Sequence, residues 1–425
     1  MKPSKYNYII PFGEKYIFFN GITEKFFLIP KDRVETYRKI LNYPEENKEV
    51  FESFLDKMQT MGFVLNDKTD EMDSIRCKFE ALRVPYRYFL MVLPTYECNL
   101  RCWYCIQKHA NIFMNEEILN NTKQLIKRKL SDDSITDFHL SWFGGEPLLA
   151  YDKIIDLTVF ARDYAKEKGK TFSSAITTNG TLLTPERIEK LRHAGVINYQ
   201  ITIDGDRPTH NSVKKLGKIS AYDRTLENIN LIARHTHVNL RFNYTHENLK
   251  PHSIIEDLKS KIDPEVLGNI SFTITKVWQE DQRKIKEDDV DILFNLGKEN
   301  GLRLKLLSYG LCYTDFKHFD CVFPNGHVGK CDNKALEEMS GILQNDGTIV
   351  WKQDMSEIYR PHVFDDIQKE CRECRYLPVC WGPCVVKRER MLTMHGNIGC
   401  TYGKPGDEIE RLIVNACKNV LQATK

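Results

Sequence analysis

Short apolar runs separated by turn-forming pairs characterise the first 75 residues. The runs are rich in aromatic and β-branched side chains, and they begin at Tyr8, Tyr16 and Lys25. This pattern predicts a three-stranded meander. Helical spacing follows over 31–41 and 46–61, and 63–66 is consistent with a last short strand. Strands and helices in this order are typical of a winged-helix fold, and the charged stretch 66–73 predicts a linker.

Strands that look buried alternate with helical segments from residue 86 to about residue 280. The predicted strands are 88–95, 138–143, 173–178, 199–204, 238–244 and 270–275. The predicted helices lie near 116–130, 152–168, 185–194, 221–235 and 253–262. Six such units in succession predict a parallel sheet, curved or closed, with its active residues at the carboxyl ends of the strands. One more helix, near 288–300, precedes a part of the chain dominated by cysteine-rich loops.

The composition is that of an ordinary globular protein, with 41% hydrophobic and 28% charged residues among 425. The net charge of +2 gives no reason to expect a nucleic acid or a membrane surface as partner. No stretch is apolar enough for a signal peptide or a membrane span, so we expect a cytoplasmic location. In that reducing compartment, thirteen cysteines are expected to be metal ligands rather than disulfides.

The first cysteine group directly follows the first strand of the alternating region. Cys98, Cys102 and Cys105 have the spacing C-x3-C-x2-C. Three thiolates can hold a four-iron cluster and leave one iron open to a further ligand. Zinc is the alternative, because His109 is available as a fourth ligand.

With Tyr104 before its last cysteine, this loop resembles the signature of the radical S-adenosylmethionine (SAM) superfamily. The resemblance implies that the open iron binds SAM and that its reductive cleavage yields a 5′-deoxyadenosyl radical, which removes a hydrogen atom from a substrate. The tetrapeptide Gly144-Gly145-Glu146-Pro147 ends the second strand and matches the family element that binds the ammonium group of SAM. Further cofactor contacts implied at later strand ends are Thr178, Asn179, Gln200, Asp204, Arg241 and Asn243.

One element departs from the pattern of the family. Relatives carry His-Asp-x-x-Arg after the Asp-Gly pair, whereas this chain has His210-Asn211-x-x-Lys214. Lysine offers a point charge where arginine offers a planar fork. Lys214 is therefore a candidate contact for the carboxylate of SAM. No catalytic acid or base can be identified from the sequence.

The second cysteine group comprises Cys312, Cys321, Cys331, Cys371, Cys374, Cys380, Cys384 and Cys400. It resembles the SPASM extension of peptide-modifying radical enzymes. The resemblance implies two auxiliary [4Fe-4S] clusters, and hence three in the chain. One would be held by Cys312, Cys331 and Cys384, the other by Cys371, Cys374, Cys380 and Cys400. Cys321 either completes the first set, as in sulfatase-maturing relatives, or is a buried free thiol.

These observations predict an α/β fold: a partial (β/α)6 TIM-type barrel with an N-terminal winged-helix-like domain and a C-terminal cysteine-rich SPASM domain. The predicted boundaries are 1–75, 84–285 and 286–425. In the family, such a front domain often binds a leader peptide by adding it as a strand to a sheet edge, although a purely structural role is the alternative.

The leading hypothesis is a radical SAM/SPASM oxidoreductase that cross-links a leader-guided, ribosomally made precursor peptide through a thioether or carbon–carbon bond. Its electrons would come from a reductant such as flavodoxin or ferredoxin, and no nucleic acid or membrane partner is expected. The alternatives are an anaerobic sulfatase-maturing enzyme that oxidises Cys or Ser to formylglycine, and a catalytically silent peptide-binding partner.

Overall fold

The computed structural model describes residues 1–107, 109–332, 341–351, 363–400 and 406–423. The strands are β1 Lys2–Pro3, β2 Asn7–Phe12, β3 Lys15–Asn20, β4 Phe26–Pro30, β5 Val64–Leu65, β6 Arg87–Val92, β7 Asp137–Trp142, β8 Thr171–Thr178, β9 Val196–Ile203, β10 His237–Tyr244, β11 Ile270–Lys276, β12 Arg303–Leu306, β13 His318–Val322, β14 His327–Gly329, β15 Gly341–Leu343 and β16 Ile349–Trp351.

The α-helices are α1 Val34–Asn42, α2 Lys48–Thr60, α3 Glu71–Leu82, α4 Glu116–Leu130, α5 Tyr151–Glu167, α6 Pro185–Ala194, α7 Arg207–Val213, α8 Ala221–Ala233, α9 Pro251–Lys261 and α10 Glu287–Glu299, followed by Lys369–Glu373, Leu377–Cys380, Val385–His395 and Gly406–Ala423. The 3-10 helices are Lys31–Arg33, Pro147–Ala150, Pro264–Asn269, Gln282–Lys284, Tyr313–Asp315 and Asp366–Gln368. Among the residues described, no helix is both long and apolar enough to cross a lipid bilayer.

The chain divides into two compact units. The first contains Met1–Val84, Leu307–Phe316 and the described residues from 363 onward, and the second contains Pro85–Leu306 and the described residues of 317–351. This division reflects which parts of the chain contact one another and does not test the predicted domain boundaries. The predicted functional boundaries at 1–75, 84–285 and 286–425 stay a prediction.

An eleven-stranded mixed sheet organises the second unit, in the order β12-β11-β10-β9-β8-β7-β6-β13-β14-β15-β16. The pairs from β12 to β13 are parallel, and the last three pairs are antiparallel. The α/β prediction is confirmed, and all six predicted strands are present within a few residues of their expected bounds. The sequence did not predict the two parallel neighbours at the flanks, β12 and β13.

The core of the second unit forms where alternate strand residues meet the amphipathic crossover helices. Leu90, Leu140, Ile201, Leu240 and Phe272 are almost fully buried, each on a different parallel strand. Side chains of successive strand residues point to opposite faces, so the residues between them form a second face, and many of those are polar. The helices thus stabilise one face, and polar groups line the other.

The first unit contains the meander β2-β3-β4 and the separate pair β1-β5. One apolar cluster joins the meander to α1 and α2. A second joins its other face to Tyr376, Val379, Ile409 and Ile413. The predicted meander and the two helices after it are therefore present, whereas the winged-helix assignment stays a prediction.

The prediction of a linker over 66–73 is wrong in its second half, because α3 begins at Glu71. The Asp70 side chain caps this helix by accepting a hydrogen bond from the Met72 N–H. The helix buries Ile75 and Phe79 within the first unit. Acidic residues favour the positive end of a helix dipole, so the charged stretch was a helix start.

His139 is expected to make the stability of the second unit depend on pH. It lies on β7 between Phe89 and Ser173, with ring centroids 4.6 Å apart from Phe89 and Nδ1 2.8 Å from the Ser173 hydroxyl. Burial, with a smaller effect of Arg87, lowers the pKa of His139 to about 4. The folded state therefore binds fewer protons than the unfolded state between pH 4 and 6.5, and stability falls as the pH drops through that range.

We expect wild type to lose about 1 kcal/mol more stability than His139→Gln between pH 7.5 and 5.5. Anaerobic urea unfolding at both pH values measures the difference. Equal losses in the two proteins would show that His139 does not carry this pH dependence.

Candidate active site

The three-cysteine loop begins six residues beyond the end of β6. Burial raises the pKa of Cys98 to about 12, and Glu146, Cys102 and Cys105 add smaller effects of the same sign, which reflects their proximity. Within the loop, Cys98 Sγ accepts a hydrogen bond from the Leu100 N–H at 3.4 Å. The structure thus brings the three predicted ligands together at the carboxyl end of a strand.

The donor set suits a cluster better than a single zinc ion. His109 Nε2 lies 3.5 Å from Cys105 Sγ. In the part of the chain that the structure describes, however, no three Cys, His, Asp or Glu side chains converge on a point where they could hold one metal ion. Zinc requires such convergence. A four-iron cluster binds each thiolate to a different iron, so its ligands can lie further apart.

Gly144 and Gly145 allow the cysteine loop to lie directly on the end of β7. Gly145 N–H donates to the Thr95 carbonyl at 3.1 Å, and Glu146 N–H donates to the Glu97 carbonyl at 2.8 Å. A Cβ at Gly144 would lie 2.6 Å from the Thr95 oxygen, and one at Gly145 would collide with the Glu97 carbonyl. The two glycines are therefore required for this close approach.

Glu146 is fully buried and fastens the end of β7 to the end of β8. Its Oε1 accepts from the Thr178 hydroxyl at 2.7 Å and from the Leu148 N–H at 3.0 Å. Its Oε2 accepts from the Asn179 N–H at 2.8 Å. Burial raises the pKa of Glu146 to about 7, against the opposite effect of these hydrogen bonds. Both carboxylate oxygens are thus occupied by groups of the protein, so Glu146 positions the strand ends. Pro147 is the first residue of the 3-10 helix that follows.

An amide network joins β8 to the cysteine loop. Asn179 Nδ2 donates to Asn99 Oδ1 at 2.8 Å and lies 4.0 Å from Cys98 Sγ. Asn99 Nδ2 in turn donates to the Thr181 hydroxyl at 3.0 Å. The sequence reasoning missed Asn99. Its place between two predicted ligands was the available signal.

Tyr104, Asp204 and Lys214, each predicted to contact the cofactor, contact one another. Asp204 Oδ1 accepts from the Tyr104 hydroxyl at 2.6 Å, and Oδ2 accepts from Lys214 Nζ at 2.5 Å. Asp204 and Lys214 are 1% and 3% exposed. Burial raises the pKa of Cys102, and the nearby Lys214 ammonium opposes that effect. The ammonium group thus lies near the cysteine loop with its charge already balanced by Asp204.

The buried His210 completes this corner of the site, because its Nδ1 accepts from the Asp204 N–H at 3.2 Å. The sequence singled out His210 only as part of a motif.

A row of polar side chains crosses neighbouring strands on the face opposite the helices. Gln200 Nε2 donates to Thr177 Oγ1 at 3.4 Å, and Asn239 Nδ2 donates to Gln200 Oε1 at 3.3 Å. Thr273 Oγ1 donates to Asn239 Oδ1 at 2.8 Å. Of these three residues the sequence predicts only Gln200, as a cofactor contact, and that role stays a prediction.

A second polar contact on this face of the sheet joins Arg241 and Asn243, which were both predicted to contact the cofactor. Arg241 Nε donates to Asn243 Oδ1 at 3.0 Å. Both lie on β10 and are spaced two apart, so they share one face of the sheet. With the row beneath, they give this face hydrogen-bonding groups suited to a polar ligand.

The C-terminal cysteines fall into three neighbourhoods. In the first unit, Cys384 lies near enough to Cys312 to raise its pKa slightly, burial being the larger cause. In the same unit, Cys374 and Cys400 act in the same way on Cys371 and on Cys380.

In the second unit, Cys321 is fully buried on β13, and Cys331 is among the charges that act on it. Cys321 pairs with Gly329, two residues before Cys331. Its predicted alternatives, a cluster ligand or a free thiol, both stay open, as does the joining of Cys331 with Cys312 and Cys384.

Comparison with known proteins identifies the central part of the chain. Residues 92–258 match the model of the Radical SAM superfamily. The serine-type anaerobic sulfatase-maturating enzyme of Bacteroides thetaiotaomicron is 25% identical over 374 residues, which cover 74% of this chain and 86% of that enzyme. The AdoMet-dependent heme synthase of Methanosarcina barkeri is 32% identical over 139 residues, 32% of this chain and 36% of that one.

A solved structure shares the fold. Native anSMEcpe with bound AdoMet and Kp18Cys peptide matches with a TM-score of 0.59 at 16% identity, over 80% of this chain and all of that one. The α/β fold with its large mixed sheet is therefore that of the radical SAM proteins. Residues 92–258, which include the cysteine loop and the strand ends around it, are thus a Radical SAM domain, and the chain is similar over most of its length to a serine-type anaerobic sulfatase-maturating enzyme.

Proposed function

We propose that the chain is a peptide maturase that abstracts a hydrogen atom from a leader-guided precursor peptide and forms a thioether or carbon–carbon cross-link. The observation that carries this proposal is a cysteine loop fixed by Glu146 and Asn179 and, on neighbouring strands, a face of polar side chains. The [4Fe-4S] cluster and SAM supply, when bound, the carbon radical that removes the hydrogen atom.

The residues of the chain provide position and selectivity for this reaction. Cys98, Cys102 and Cys105 would hold the cluster, and the backbone at Gly144 and Gly145 would offer close approach to SAM. The row Gln200–Asn239–Thr273 carries amide and hydroxyl groups that can bind the backbone of an extended peptide. In this proposal the C-terminal cysteines hold two auxiliary clusters that accept the electron released as the new bond forms.

The meander of the first unit supports a role in leader binding. Among the described strands, β4 pairs only with β3, so its other edge is available to an added strand. Phe26, Phe27 and Leu28 on β4 are partly exposed. Main-chain pairing along such an edge is a common way to bind an extended peptide.

Sulfatase maturation is the second candidate, and the relationship to the Bacteroides thetaiotaomicron enzyme over 86% of its length favours it. That activity would oxidise a Cys or Ser side chain to an aldehyde. Both candidates use the same cluster loop, so the product decides between them.

The test is anaerobic reaction of the full chain with SAM, a low-potential reductant and a candidate precursor peptide, followed by mass spectrometry. We expect 5′-deoxyadenosine and a peptide lighter by two hydrogens that does not react with a hydrazide. The product should depend on the leader. A chain with Cys98, Cys102 and Cys105 all changed to alanine is the control and should give neither product.

Other outcomes contradict the proposal in different ways. A hydrazide-reactive product from a leaderless sulfatase-type peptide would establish the second candidate. A wild-type chain that cleaves no SAM would be a peptide-binding partner without radical chemistry.

A further inference from the structure

Gln368 carries an unexplained buried amide in the first unit. It ends the 3-10 helix Asp366–Gln368, three residues before Cys371, and its side chain is fully buried. Neither polar atom of the amide makes a hydrogen bond of ordinary geometry with any described residue. Leaving such a group unsatisfied costs about 1–3 kcal/mol, so native proteins rarely do so. Such an amide has hydrogen-bonding capacity left for a further group.

The amide lies among the four cysteines of the C-terminal set. Its nitrogen lies against Gly382, where an added Cβ would collide with it. Gly382 follows Cys380 by two residues and has φ +79°, a conformation that favours glycine. Gln368 is the N-cap residue of the helix Lys369–Glu373, and Cys371 is the third residue of that helix. The side chain is thus held close to both Cys371 and Cys380.

Backbone N–H groups already point at two sulfurs of this set. Tyr376 N–H donates to Cys374 Sγ at 3.4 Å. The Gly382 N–H likewise donates to the Cys380 thiol. Such donors are a main determinant of the reduction potential of an iron–sulfur cluster. Gln368 adds a side-chain N–H to the same neighbourhood, and unlike the backbone donors it can be removed by substitution.

We infer that Gln368 donates its amide N–H to the sulfurs of the auxiliary cluster held by Cys371, Cys374, Cys380 and Cys400, and that it thereby raises the reduction potential of that cluster. This inference rests on the auxiliary clusters of the proposed function. The reduced cluster carries one more negative charge than the oxidised cluster, so a donor stabilises it more. Gln368 is a positioning and tuning residue, since all four iron ligands are cysteines.

The test compares the wild-type holoenzyme with Gln368→Leu and Gln368→Glu. Leucine removes the polar amide at similar volume, and glutamate keeps its shape while replacing the donor by a carboxylate. Anaerobic redox titration followed by electron paramagnetic resonance measures the midpoint potentials. We expect one auxiliary potential to shift negatively in both variants and the other potentials to stay. Gln59→Leu is the control, since that amide bonds Asn66 far along the chain from the cysteines.

Iron content separates this inference from the proposed function. About four irons in the wild-type chain, instead of about twelve, would show that the auxiliary clusters are absent. That result would contradict the auxiliary clusters of the proposed function. Twelve irons with unchanged potentials in both variants would overturn the role of Gln368 alone. Loss of about four irons from both variants would also overturn the tuning role and assign Gln368 to packing.

Discussion

Replacing Glu146 by alanine is expected to lower the free energy of unfolding by roughly 3 kcal/mol and the rate of SAM cleavage by about 10²-fold. The Thr178 hydroxyl and the Leu148 and Asn179 N–H groups would all lose their acceptor in a buried place. Asn179 also binds Asn99 in the cysteine loop. The loss therefore reaches the loop that is predicted to hold the cluster, although Glu146 need not touch the cofactor.

The measurement is 5′-deoxyadenosine release by chromatography, together with anaerobic urea unfolding. Glu146→Gln should lose less stability and less SAM cleavage than Glu146→Ala. Its amide oxygen can still accept hydrogen bonds, whereas its amide nitrogen faces one of the donors. Glu167→Ala, at the exposed end of α5, is a matched control and should behave as wild type. Wild-type stability and cleavage in Glu146→Ala would contradict the positioning role.

Local sequence patterns were enough to predict the central strands and helices. In these strands apolar residues alternate with residues of the polar face over six to eight residues, and turns bound each run. The two unpredicted parallel strands are shorter, with four and five residues. In β13 the charged Asp320 is 1% exposed, because Lys129 and Lys330 neutralise it, each at 2.8 Å. Lys129 belongs to α4 and Lys330 follows β14. No short stretch of the sequence therefore contains Asp320 together with both lysines.

The site shows the same limit at the level of single side chains. The motifs place Asp204 and Lys214 at one strand end, and their role as contacts for the cofactor stays a prediction. Their mutual ion pair depends on α7, which the sequence did not predict and which turns the chain back over β9. Resemblance to a family thus predicts where polar residues gather. The contacts among them depend on the fold.

Replacing Arg388 by methionine is expected to destabilise the first unit by about 3–5 kcal/mol. Arg388 is 1% exposed and binds both oxygens of Asp315, at 2.6 and 3.2 Å. The substitution leaves a buried carboxylate without its counter-ion. Anaerobic thermal unfolding followed by circular dichroism measures the loss. Arg390→Met, on the exposed side of the same helix, is the matched control and should stay near wild type.

The ion pair between Arg388 and Asp315 also joins the two chain segments that carry the predicted cluster ligands Cys384 and Cys312. The iron content of the protein should therefore fall together with its stability. Cys384 directly precedes the helix of Arg388, and Cys312 directly precedes the turn of Asp315. We expect Arg388→Met to lose about four irons of about twelve. In Asp315→Leu/Arg388→Met, an apolar pair replaces the ion pair and should restore much of the stability. If the double variant also regains the iron content of the wild type, the ion pair serves only to hold the two cysteine segments together. Full iron and full stability in Arg388→Met alone would contradict any such role, because the buried Asp315 would then have no need of its partner.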